Sequence, residues 1–227
     1  MNDEEQTLEN AYLRWQFDQF SPFVGQRVAE IGCGSGHYLP FLKDTKRYLG
    51  LESRSQRRED LLKLKWPENA KLAKNPDILT HGAVRELKNH RIQTIICVNH
   101  LASMEEDWLA MKNMIRALPP EGHLCLIVPA MPCLDGPLDQ AEGFLRRYSR
   151  RSLCHIIHED EPIEIVRCHY FDLMGAVERF CDVRVFRRRS KPSDLNHRKV
   201  NKIVSMIERV SRPPFGLSIV LVLKKVK

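Results

Sequence analysis

The sequence predicts an α/β fold, a doubly wound sheet with helices on both faces, and three observations carry that prediction. Short apolar strand-like runs alternate with helical stretches through most of the chain. The first run breaks into three glycines at alternate positions in VAEIGCGSG (28–36), and its last strand positions include the acid Glu30. Glu52 then closes the next run, 20 residues beyond Gly32.

Each observation has a physical basis. A strand that enters a turn through Gly32, Gly34 and Gly36 leaves no Cβ atoms there, so a bound molecule can lie against bare backbone. The distance from Gly32 to Glu52 is the one at which a βαβ unit delivers a carboxylate to a ribose diol. An ordinary tight turn in a packed core is the plainer alternative; strand, acid, loop and second acid together disfavour it.

The elements follow in order. Leu8, Tyr12, Trp15, Gln19 and Phe20 recur at helical spacing before Ser21-Pro22, so an amphipathic helix precedes the first strand, its aromatics placed to roof the site. Strands are expected at 27–31 and 48–51, with helices from Gly36 to about Asp44 and over 55–64. Lys71–Ala73 is a weak third strand, while QTIICV (93–98) is the continuous apolar run of a central parallel strand. A helix over 105–118 stops at Pro119-Pro120 and Gly122, and HLCLIV (123–128) is the fifth strand. Beyond Ala130 come a turn-rich segment, one basic helix around 139–153, a strand at 164–166 and a buried strand at 216–223. An insertion after a parallel strand lies at the carboxyl edge of the sheet, where open α/β folds bind ligands.

With 227 residues and 43% apolar content, one domain is expected. Its parts are an N-terminal helical cover (1–25), a binding core (26–130), a substrate cap (131–175) and a C-terminal helix and strands (176–227). No run approaches the ~20 apolar residues of a bilayer span, and the acidic, polar start is unlike a secretory signal, so a cytoplasmic protein is expected. Seven cysteines without a CxxC pair support neither zinc site nor disulfide frame. The net charge of +7 is concentrated at Arg54–Arg58, Arg146–Arg151 and Arg184–Lys191 and favours anionic partners.

Dinucleotide sites generally read G-x-G-x-x-G, and here the third glycine comes one residue early. E-x-G-x-G-x-G resembles the first motif of class I S-adenosylmethionine-dependent methyltransferases. Further blocks are similar to a bacterial subgroup of that family often found beside or fused to glycosyltransferases: AYLRWQFDQF (11–20), NMIRALPPEGHLCLIVPA (113–130), LDGPLDQAEGFLRRY (134–148), YFDLMGA (170–176) and PFGLSIVLV (214–222). Two blocks depart from it. Asn99-His100-Leu101-Ala102-Ser103 replaces the subgroup's "NvLEH", and Gly143-Phe144-Leu145-Arg146-Arg147-Tyr148 replaces "GHyRRY".

The resemblance implies a Rossmann-like, seven-stranded sheet with an antiparallel last strand and S-adenosyl-L-methionine as cofactor. It further implies that Glu30, Gly32, Cys33, Gly34 and Gly36 hold the methionine part and Glu52 and Ser53 the ribose. Asp77 and Ile78 border the adenine, and Asn99 and Leu101 line the methyl-donating end. His100 is the best-placed general base, although a histidine at a strand end is as readily hydrogen-bonded structure. Tyr12 and Trp15, with Asp139, Arg146, Arg147 and Tyr148, would meet an anionic, sugar-like or lipid-linked small substrate; a solvated basic helix is the alternative for the last four. A nucleic-acid methyltransferase is disfavoured by the absence of an N/D-P-P-Y/F loop. A cofactor-binding subunit without catalysis fits the lost Glu and His, and a nicotinamide oxidoreductase is disfavoured by the glycine spacing.

Overall fold

The computed structural model describes residues 3–63, 66–158, 160–181, 183 and 213–227. Helix α1 (Asp3–Asp18) precedes β1 (Arg27–Ile31), β2 (Arg47–Leu51), α2 (Ser55–Lys63), β3 (Ala70–Leu72), α3 (His81–Asn89), β4 (Thr94–Val98), α4 (Asp107–Ala117) and β5 (His123–Pro129). There follow α5 (Pro137–Glu142), α6 (Arg150–His155), β6 (Ile163–Phe171), α7 (Leu173–Phe180) and β7 (Ser218–Lys225). The seven strands form one sheet in the order β3-β2-β1-β4-β5-β7-β6. β7 runs antiparallel to both neighbours and the other pairings are parallel. The basic run Arg184–Lys191 lies outside the described residues. No described helix is long and apolar enough to cross a membrane.

Strand alternation divides the core. Ala29, Ile31, Leu49, Ile95 and Leu126 face α3 and α4, whereas Val28, Tyr48, Ile96 and Ile127 face the aromatic layer of Trp15, Phe17 and Phe20 from α1 and the turn after it. Successive strands add outward from β1 on one side and from β4 on the other. The chain therefore reverses direction between them, and their carboxyl ends part at the switch point where open sheets bind ligands.

Three expectations need correction. The helix expected from Gly36 to Asp44 is a series of turns with a single 3-10 turn at Leu39–Phe41. Pro40 cannot donate to the Gly36 carbonyl, so the first α-helical bond is missing, and Leu39 N–H takes that carbonyl instead at 3.1 Å. The single basic helix expected around 139–153 is two short helices, because Gly143 at φ 80 ends α5 in the left-handed region. The strand expected at 164–166 extends over nine residues as the edge strand β6, so part of the expected cap belongs to the sheet.

Between β5 and β6 the chain is tied down by buried charge. Asp139 receives Arg147 through Nε and Nη2 at 2.9 and 2.7 Å, and also Arg179 of α7 and the Gly136 amide. All three charged side chains are 5% exposed or less. Removing the carboxylate would leave two buried guanidinium groups without a counter-charge. Asp139→Ala should lower stability by about 3–5 kcal/mol in urea unfolding; a loss below about 1 kcal/mol would contradict this role.

Candidate active site

The glycine loop is shaped by hydrogen bonds to the strand beside it. Gly32 and Cys33 amides both donate to the Leu51 carbonyl, at 2.8 and 3.1 Å. The three glycines have φ of 72, 55 and 80, a region that L-residues with side chains rarely enter. A Cβ on Gly34 or Gly36 would meet no atom within 4 Å, so the loop opens onto space. A Cβ on Gly32 would fall 2.2 Å from Cγ of His100, whose ring packs on that glycine.

This loop floors a cavity of about 570 Å3. Glu30, Gly32, Cys33, Gly34 and Asn99 line it from the sheet side, the last at φ 58 just beyond β4. Leu13 and Gln16 of α1 line it too, with His37, Tyr38, Arg57 and Asp60.

Glu30 dominates the electrostatics. It is 4% exposed, and Tyr48 Oη donates to its Oε2 at 2.5 Å. Burial raises its carboxyl to about 8, against the smaller opposing effect of the Tyr48 hydrogen bond, and the nearby Glu52 carboxylate adds to the rise. Burial and Glu30 also push the Cys33 thiol up, so it stays protonated.

Glu52 is buried behind the loop. Its Oε2 accepts from the Gly34 amide at 3.0 Å and its Oε1 from the Arg54 amide at 2.9 Å, so it latches the loop to the end of β2. It does not line the cavity; neither do Ser53, which is exposed, nor Ile78 and Leu101, which are buried in the core. Asp77 accepts from the Leu79 amide at 3.0 Å and shapes the turn after β3.

His100 sits on Gly32 rather than in the cavity, with Ser103 Oγ 3.3 Å from its Nδ1. Burial lowers its pKa, which keeps the ring neutral. Trp15 packs on Phe171 at 4.3 Å between centroids, and Tyr12 donates to Asp172 at 3.1 Å. In the cap, Tyr148 Oη and Arg146 Nη1 both reach Asp107 Oδ2, at 2.7 and 2.8 Å, so Asp107 pins this loop to the first turn of α4. Asp139 and Arg147 are each other's partners, as described above. The four cap residues expected to grip a substrate thus have internal partners, because basic side chains here answer buried carboxylates on α4 and α5.

Sequence reasoning missed Tyr48, Gln16, Tyr38, Arg57 and Asp60. Tyr48 left a signal: a tyrosine in a fully apolar strand beside the strand of Glu30 must find a buried acceptor for its hydroxyl. Tyr38 and Gln16, which bond each other at 2.7 Å, come together only through the packing of α1.

Two outcomes follow from this geometry. Gly32→Ala should destabilise the protein and abolish ligand binding, and Gly32→Ala/His100→Gly should recover part of the melting temperature by removing the ring the new methyl strikes. No recovery would show that φ strain alone decides. Because the folded-state pKa of Glu30 is raised from 4.5 to about 8, its contribution is fully present below pH 4.5 and lost as pH rises through 8. Stability should therefore fall across that window by up to about 5 kcal/mol more in the wild type than in Glu30→Gln; parallel pH profiles of unfolding would contradict the burial of this acid.

Comparison with known proteins gives the family. A family model described as a methyltransferase domain matches residues 8–172. No curated protein sequence matches the chain. Among solved structures, the chain is similar to an S-adenosylmethionine-dependent methyltransferase from Mesorhizobium loti, with a TM-score of 0.58 and 12% identity, covering 95% of this chain and 96% of that one. It is similar also to the N-methyltransferase NodS from Bradyrhizobium japonicum (TM-score 0.51, 14% identity, 100% and 98% covered) and to the [4+2]-cyclase SpnF (0.56, 15%, 96% and 81%). At such identities the likeness shows the fold. The family match over most of the chain goes further: this chain belongs to the methyltransferase-domain family.

Proposed function

We propose that the cavity binds S-adenosyl-L-methionine and that the enzyme transfers its methyl group in line to a small molecule or a sugar- or lipid-linked precursor. The observation that carries this is a buried carboxyl, Glu30, lining a cavity floored by bare glycine backbone. A carboxyl held out of water suits a ligand that brings its own positive charge, and the cofactor carries both an ammonium and a sulfonium. The loop also leads into turns, so no helix N-terminus sets a positive field against that cation.

When bound, the cofactor supplies the activated methyl group. The chain would supply position: Glu30 for the ammonium, the backbone of Gly32, Cys33, Gly34 and Gly36 for the methionine part, and Asn99 at the methyl end. Glu52 would serve the ribose through the lone pairs its two amide bonds leave free, with Ser53 beside it. Asp77 and Ile78 would shape the adenine side from the turn and core behind it, and Leu101 would back the methyl end behind Asn99. In-line methyl transfer gains chiefly from alignment in a water-poor site. His100 packs on Gly32 and does not line the cavity, so we assign it a packing role and not that of a general base. Tyr12, Trp15, Asp139, Arg146, Arg147 and Tyr148 would serve the substrate indirectly, by holding α1 and the cap over the mouth.

Titration calorimetry tests this. Wild-type protein should bind S-adenosylhomocysteine, and Glu30→Gln and Glu52→Ala should each weaken it by about tenfold or more, since each removes a charge-assisted contact. Unchanged dissociation constants in both variants would overturn the proposal.

A further inference from the structure

At the opposite edge of the sheet, where strands begin, a second cavity of about 640 Å3 opens between the start of β1, the end of α3 and the turn from α4 to β5. Arg27, Lys88 and Arg91 line it, and Glu121 is its one acid. Glu121 already meets Lys224 Nζ at 2.5 Å. The next acid, Glu86, spends both oxygens on the amides of Lys74 and Asn75.

Some of the local positive charge answers the carbonyl ends of helices, as the fold requires at this edge. Lys225 Nζ donates to the Ile115 and Leu118 carbonyls at 3.1 and 2.8 Å, and Arg27 Nη1 to the His90 carbonyl at 3.3 Å. Lys88, Arg91 and Arg47 remain. Among the described residues none of the three forms an ion pair with a carboxylate, and Arg47 rests against His90 Nδ1 at 2.6 Å. Burial, then Arg47, with Lys71 and Arg27 adding and Glu86 opposing, lowers the His90 pKa, so the ring stays neutral and accepts from Arg47.

Arg91 adds an independent observation. It follows the last turn of α3 at φ 51, with His90 N–H on the Glu86 carbonyl and Ile92 N–H on the Leu87 carbonyl. That is the helix-terminating position where glycine is strongly favoured. A long cation held there in the left-handed region is disfavoured by backbone sterics, and such outliers gather at ligand sites.

We propose that this cleft is an anion site for a phosphate-bearing ligand, gripped by Lys88 and Arg91, with Arg27 adding the guanidinium N–H groups that the His90 carbonyl does not take. Guanidinium forks match phosphate oxygens in pairs, and the volume suits a ligand of nucleotide size. The site is separate from the methyl-transfer cavity, on the other edge of the sheet.

The test is calorimetric titration of the full chain with sodium tripolyphosphate and, separately, with a short single-stranded RNA, each at low and raised salt. At least one should bind and be weakened about tenfold in Lys88→Glu/Arg91→Glu. Stronger, steeply salt-dependent binding of the RNA would assign the phosphate to a polynucleotide; binding of tripolyphosphate alone would assign it to a free phosphorylated compound. Arg91→Gly guards against misfolding, because it relaxes the backbone while removing the cation: its melting temperature should hold or rise while affinity falls. S-adenosylhomocysteine affinity should not change in either variant. Absence of binding by both probes, or an equal loss on reversing Arg151 of the cap, would overturn the proposal.

Discussion

The hydrogen bond from Tyr48 to Glu30 marks the constraint on which the site depends: a carboxyl group fixed inside the sheet, at the last turn of backbone before the glycine loop. Water is excluded there by Tyr48, Tyr38 and the α1 layer, and burial holds the acid protonated near neutral pH. A fold that only needed packing would place valine or isoleucine at that register, as it does at Val28 and Ile31. An acid at this point lowers stability as pH rises, and gains a function when a cation enters beside it.

The loop and its surroundings are organised to leave that approach open. Glu52 draws the Gly34 amide back, His100 fills the space under Gly32, and the missing helix after Gly36 removes a dipole that would repel a cation. Farther out, two buried acids do the same service for the cap: Asp107 gathers Tyr148 and Arg146, and Asp139 gathers Arg147 and Arg179. Much of the basic charge of the segment after β5 is thereby spent inside the protein. Among the described residues, exposed cations gather again at the far edge of the sheet, at Lys88 and Arg91.

What could be read before folding, and what could not, follows from the range of the forces involved. The strands through β5 and helices α1, α2 and α4 were legible because apolar periodicity is local, whereas α3 (His81–Asn89) had not been expected at that place; the glycine triplet with Glu30 and Glu52 was legible because a βαβ unit fixes their spacing. The antiparallel place of β7 followed from family resemblance and is borne out by its pairing with β5 and β6. The helix expected after Gly36 fails at Pro40, whose missing N–H leaves the Gly36 carbonyl to Leu39. Asp139 and Tyr148 read as substrate ligands because their partners, Arg179 and Asp107, lie about 40 residues away and no local pattern announces a long-range ion pair. The Gln16–Tyr38 bond was invisible for the same reason.

The most direct measurement counts protons. If Glu30 is neutral in the free protein and ionises against an incoming ammonium, binding of S-adenosylhomocysteine near pH 7 must expel a proton into solvent. Calorimetry in two buffers of different ionisation enthalpy should then give apparent binding enthalpies that differ by an amount equal to release of close to one proton, and the difference should vanish in Glu30→Gln. Identical enthalpies in the two buffers for the wild-type protein would contradict the account at its root.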